Sequence, residues 1–110
     1  MKTDLSKFLP LSPAALHILL ALAGEDMHGY GIMLEVARQS EGAYKLGPGT
    51  LYDNLQRLMD QAMVLEVGSD GPRKRTYRLS SLGRKVLSTE ISRLEGVVRE
   101  ARLHLRRSSS

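Results

Sequence analysis

Residues 47–62 read Gly47-Pro48-Gly49-Thr50-Leu51-Tyr52-Asp53-Asn54-Leu55-Gln56-Arg57-Leu58-Met59-Asp60-Gln61-Ala62, and this stretch decides the fold. Gly47-Pro48 has the form of an N-cap followed by a first-turn proline, whose fixed φ suits helix entry and whose missing N–H costs nothing there. At about 100° per residue, Leu51, Leu55, Leu58, Met59 and Ala62 gather on one face. Thr50, Asp53, Arg57 and Asp60 lie opposite, with Asn54 and Gln61 beside them and Tyr52 at the border. The spacing predicts a helix over about 48–62 that buries one side and shows hydrogen-bonding groups on the other.

Upstream, Ser12-Pro13 supplies another cap and first-turn proline. Leu16, Leu19, Leu20 and Ala23 recur at i, i+3, i+4 and i+7, so a helix is expected over about 13–23, with Gly24 as its left-handed C-cap. Asp26 to Gly31 reads as a short break. Ile32, Met33, Val36 and Ala37 then predict a shorter helix over about 29–40, ended by Ser40-Glu41-Gly42. Downstream, Val64 to Val67, the turn cluster Gly68-Ser69-Asp70-Gly71-Pro72 and the alternating Arg75 to Leu79 predict a β-hairpin with a long basic tip. Ser80-Ser81 caps a last helix expected to reach about Leu105. On it Leu87, Ile91, Leu94, Val98, Ala101 and Leu105 are spaced 4, 3, 4, 3, 4, a heptad seam, and Leu82, Val86 and Val97 form a second face. The expected fold is mainly α with a small β-hairpin. A winged helix-turn-helix fills 1–80, a C-terminal dimerisation helix 81–107, and a disordered tail 108–110.

Composition narrows the class. The 110 residues suit one domain, and 42% hydrophobic with 25% charged is ordinary for a folded soluble chain. The absence of cysteine excludes a disulfide scaffold, a thiolate zinc site and a cysteine nucleophile. The three histidines are scattered without metal-ligand spacing, so no metal or cofactor is expected. The longest apolar-rich run, Ala14 to Ala23, is interrupted by His17 and is too short to span a membrane. Met1 to Pro10 lacks the pattern of a signal peptide, and a cytoplasmic location is expected. The net charge of +4 is uneven: residues 1–50 sum to −1 and residues 51–110 to +5. No nucleophile–base constellation or phosphate loop is present, and an enzyme is not expected.

Two short helices followed by a basic hairpin have a physical use. A helix about 10–12 Å across fits the DNA major groove, with its N-terminal residues near base edges and its N–H groups near phosphate. Gly49 lies at that end, and Thr50 and Tyr52 can offer hydroxyls to phosphates. The plainer reading is a helix-start hydroxyl and a half-buried core tyrosine. Arg57 and Asn54 can read bases, against a solvated face with an Asp53–Arg57 pair. His28 and Tyr30 read as the cap region that positions the second helix, and His28 or Tyr30 is expected near the DNA backbone. Arg73, Lys74 and Arg75 are expected wing contacts, since such a cation run beside a helix-turn-helix has little structural purpose. The seam from Leu87 to Leu105 overshoots a winged-helix core and points to a homodimer. A winged helix used only for protein–protein contact is the alternative, and it would need no Arg73-Lys74-Arg75.

Met27-His28-Gly29-Tyr30-Gly31-Ile32, then Pro48-Gly49-Thr50-Leu51-Tyr52 with Leu55 and Arg57-Leu58, then Arg73-Lys74-Arg75 with Tyr77-Arg78-Leu79-Ser80 and Gly83, resemble the PadR family of winged-helix transcriptional regulators. The resemblance covers about residues 12–105. It implies a homodimeric repressor on an inverted-repeat operator in double-stranded DNA, paired through its C-terminal helix. Many relatives respond to small aromatic inducers. The chain departs from the pattern at Ala62, where the family usually has glycine closing the recognition helix, and at Asp53, which would repel phosphate.

Overall fold

In the computed structural model, residues 4–69, 71 and 74–108 are described. Ser12 Oγ accepts from the Ala15 N–H at 3.1 Å, and Pro13 fills the first position of α1 (Pro13–Gly24). Ile18, Leu19 and Leu22 of α1 meet Ile32 and Val36 of α2 (Gly29–Gln39) and Leu51, Leu55 and Leu58 of α3 (Pro48–Asp60) in one buried cluster. Each such side chain stabilises the fold by about 1.5–3 kcal/mol relative to exposure. Three strands close one side: β1 (Met27–His28), β2 (Val64–Ser69) and β3 (Arg75–Leu79), ordered β1-β3-β2 and antiparallel throughout. Met63, Val64, Tyr77 and Leu79 seal the core there, and Val86 and Leu87 of α4 (Ser81–Ser108) complete it.

Several details differ from expectation. The break before α2 contains a strand: Met27 pairs with Tyr77 and His28 with Thr76, so the hairpin becomes a three-stranded sheet. Two residues are too few for a period-2 pattern to show. Gly24 is the last residue of α1 and is not left-handed; the chain leaves through an extended Glu25. Among the described residues, positive φ occurs at Glu41 and Gly42 after α2, at Ala62 (φ 62°) after α3, and at Gly71 between the wing strands. Helix α3 therefore stops at Asp60, and Ala62, expected on the buried face, is exposed in the turn. A Cβ in that conformation costs roughly 1 kcal/mol relative to glycine. The last helix continues past Leu105 to Ser108, the first residue of the expected tail, while Ser109 and Ser110 lie outside the described residues. Between the wing strands Glu66 faces Tyr77 and Gly68 faces Thr76, leaving Val67 as an extra, bulged residue.

The junction of α3, the sheet and α4 is tightly specified. Ser80 N–H donates to the Met63 carbonyl at 3.0 Å, and Ser80 Oγ donates to the Ala62 carbonyl at 2.6 Å. The same Oγ accepts from the Gly83 N–H at 2.9 Å, capping α4. Gly83 lies against Met63: a Cβ there would fall 2.2 Å from the Met63 carbonyl oxygen. No rotamer relieves a clash with backbone, so any side chain at 83 would push α4 away from the end of α3.

A second anchor is Glu90, whose side chain is buried. Its Oε2 accepts from the Leu11 N–H at 2.8 Å, and its two oxygens receive the Arg93 fork. These bonds tie the segment before α1 to α4. The Arg93 guanidinium first, and the Leu11 N–H after it, hold the Glu90 carboxyl below its ordinary pKa against the opposing effect of burial. Because the folded-state pKa is the lower one, the stabilisation is present above the unfolded value of about 4.3 and is lost as pH falls through the folded value. Glu90→Gln is expected to cost about 2 kcal/mol at pH 7 by urea unfolding. The gap between variant and parent should narrow below pH ~4; a gap independent of pH would contradict the assignment.

Candidate nucleic-acid interface

The two helices of the helix-turn-helix begin differently from the other two. Ser12 and Ser80 cap α1 and α4 with side-chain oxygens. Helices α2 and α3 start at His28 and Gly47, neither of which makes a side-chain cap bond. Their first-turn N–H groups are left for solvent or an anion. The His28 ring is occupied elsewhere: its Nδ1 lies 3.2 Å from the Arg75 carbonyl and 3.2 Å from Thr76 Oγ1, tying β1 to the wing strand.

The two motif segments around Gly29 and Tyr52 touch. A Cβ at Gly29 would lie 2.5 Å from Tyr52 Oη, so the phenol crosses the start of α2 and a side chain at 29 would have to displace it. Tyr52 nevertheless remains 48% exposed, which places it between the two readings made from its border position. Behind it Tyr77 is buried, and burial first, then the neighbouring Tyr52, push its phenol above the ordinary range.

On α3, Gly49, Thr50, Asp53, Gln56, Arg57 and Asp60 are exposed. Asn54 is half-buried and donates from Nδ2 back to the Thr50 carbonyl at 2.8 Å, so part of its bonding capacity is spent on its own helix. The expected Asp53–Arg57 pair is absent among the described residues. The bond that forms on this face runs from Gln56 Nε2 to Asp60 Oδ1 at 3.0 Å. Gln56 thus belongs to the exposed polar face of α3, although the sequence pattern did not single it out; its position opposite Leu51 and Leu55 carried the signal.

In the wing, Lys74 and Arg75 are exposed, and Arg75 reaches Glu66 only at 3.9 Å. Arg73 lies outside the described residues. Arg78 is spent on structure: it forks onto Asp26 at 2.8–3.2 Å, holding β3 to the segment that precedes β1. That guanidinium draws the Asp26 carboxyl below its usual range. Tyr30 is exposed on α2, in an open groove it shares with Leu34, Glu25, Asp26, Glu35 and Arg38.

The seam of α4 divides in two. Leu87 is buried in its own domain and does not belong to a partner face. Ile91 is 38% exposed and Val98 48%, Leu94 is half-buried, and Ala101 and Leu105 are exposed. Val97, expected to pack on the domain, is also half exposed and joins this outer face. The divide follows from length: α4 leaves the domain after Glu90, so the same stripe changes surroundings midway. Among the described residues no group of His, Asp or Glu is arranged to hold a metal ion, and no helix is long and apolar enough to cross a membrane.

Comparison with known proteins places this architecture. The model of the transcriptional regulator PadR-like family matches residues 18–89. The transcriptional regulator Rv3488 of Mycobacterium tuberculosis is 34% identical over 87 residues, covering 77% of this chain and 78% of that one. A transcriptional regulator from Clostridium thermocellum superposes with a TM-score of 0.71 at 20% identity, covering 91% of this chain and 96% of the other. Bacillus subtilis PadR, solved with operator DNA, superposes with a TM-score of 0.64 at 19% identity over 74% of this chain and 48% of its own. With this site on this winged-helix frame, the chain belongs to the PadR-like family of transcriptional regulators, proteins that regulate rather than catalyse.

Proposed function

We propose that this chain is a repressor that binds an inverted-repeat operator as a homodimer. The observation that carries the reading is the pair of helix starts without a side-chain cap, at His28 and Gly47, together with the exposed polar face of α3 and the exposed wing cations Lys74 and Arg75. Helix α3 enters the major groove, where Arg57 and Asn54 reach base edges. Gly49, Thr50 and Tyr52, with Tyr30 on α2 and the ring nitrogen of His28 that the wing strand does not use, face the phosphate backbone. Arg73, Lys74 and Arg75 lie on the flanking backbone or minor groove. Bacillus subtilis PadR, which shares the fold, has been seen on operator DNA, and this supports the reading.

The dimer forms through α4. Ile91, Leu94, Val97, Val98, Ala101 and Leu105 make an apolar stripe that one protomer leaves open, and a second α4 buries it. Two half-site readers are then held on one face of the duplex. A small aromatic inducer, of the kind the resemblance implies, would act by releasing this dimer from its operator.

Binding to the DNA upstream of its own gene is expected to depend steeply on salt. With about 6–8 phosphates neutralised per dimer, log K should fall against log salt with a slope of about −5 to −7. Alanine at Arg73, Lys74 and Arg75 together should flatten that slope. A flat response in the parent removes the DNA-binding reading, and an unchanged slope in the variant removes the wing. Val98→Asp should give a monomer by light scattering with its thermal unfolding retained; a dimer mass would count against α4 as the interface.

A further inference from the structure

We propose that Gln56 reads an adenine edge in the major groove and that Asp60 aims its amide; the proposal rests on α3 being the DNA-reading helix. Gln56 sits on the outward side of α3, opposite the buried Leu51, Leu55 and Leu58, and is exposed. Its Nε2 lies 3.0 Å from Asp60 Oδ1. An ionised carboxylate only accepts hydrogen bonds, so the nitrogen end of the amide must face Asp60. One N–H is thereby used. The carbonyl oxygen Oε1 and the second N–H remain, side by side, one accepting and one donating.

Among the bases, adenine presents the complement. Its N6 amino group donates and its N7 accepts, whereas guanine offers two acceptors, cytosine a single donor, and thymine an acceptor beside a methyl group. A glutamine held in this orientation therefore selects adenine bidentately. Asp60 acts through Gln56 and is a positioning residue. A carboxylate in the last turn faces the negative end of the helix dipole and repels phosphate, so what this location offers is its i, i+4 bond to Gln56. The net charge of α3 fits the same logic: Asp53 and Asp60 outnumber Arg57, so this helix contributes selection rather than attraction.

The test is selection of bound duplexes from a randomised operator library by the full chain, followed by affinity measurement on the selected sites. The parent should favour A·T over other pairs at one position of each half-site, by about tenfold to a hundredfold. Gln56→Ala should abolish the preference at that position and leave the others intact. Asp60→Asn should reduce it by about threefold to tenfold while affinity for non-specific DNA holds or rises, because a negative charge is removed. Both side chains are exposed, and unchanged thermal unfolding verifies the fold. If Gln56→Ala keeps the parent's profile, the proposal is overturned. Equal tightening of every sequence by Asp60→Asn, with the preference preserved, reduces Asp60 to a repulsive charge and overturns its positioning role. A parent that enriches no sequence at all overturns the DNA-reading assignment of α3 itself, a result distinct from a profile that merely ignores Gln56.

Discussion

The contact between Gly83 and the Met63 carbonyl sets the geometry of the rest of the molecule. Met63 directly follows the turn that ends α3, precedes β2, and receives the Ser80 N–H that opens α4. The helix with the polar face, the wing and the helix with the apolar stripe therefore all meet at one backbone group. With a hydrogen at position 83, α4 settles against that group; with any side chain it cannot. Ser80 adds a bond to the Ala62 carbonyl and a cap to α4, so the angle between α3 and α4 is held by backbone and by one short side chain. In a dimer paired through α4, that angle determines how far apart two α3 helices lie. On the proposed homodimer, operator spacing would then follow from this glycine.

The long periodic elements were legible in the sequence because burial imposes period on them. Leu51, Leu55 and Leu58 recur at helical spacing because each must reach the same core, and Tyr77 and Leu79 alternate because one face of β3 is buried. What was not legible depends on contacts between distant segments. The strand at Met27 exists only because Tyr77 pairs with it. Glu90 looks like a solvated helix residue until the Leu11 N–H arrives from 79 positions away. Leu87 and Ile91 share one stripe, yet the first is core and the second is surface, because α4 outruns the domain. At the candidate interface the wing cations were readable as a run, but the diversion of Arg78 to Asp26 and of Gln56 to Asp60 follows from geometry alone.

Charge acquires a sharper meaning in the same way. Helix α3 is slightly acidic, whereas Arg84, Lys85, Arg93, Arg99, Arg102, Arg106 and Arg107 outnumber Glu90, Glu95 and Glu100 on α4. On the proposed reading, the attraction for a polyanion comes from the wing and α4, and α3 is left to discriminate. This division matches the general separation between phosphate contacts, which position, and base contacts, which specify.

Hydroxyl-radical footprinting of the DNA upstream of the gene tests the account most directly. A homodimer paired through α4 should leave two protected patches on one face of the duplex, related by a two-fold axis and separated by a whole number of helical turns of about 34–36 Å each. A single patch, or patches on opposite faces, would contradict the paired half-site geometry on which the account rests.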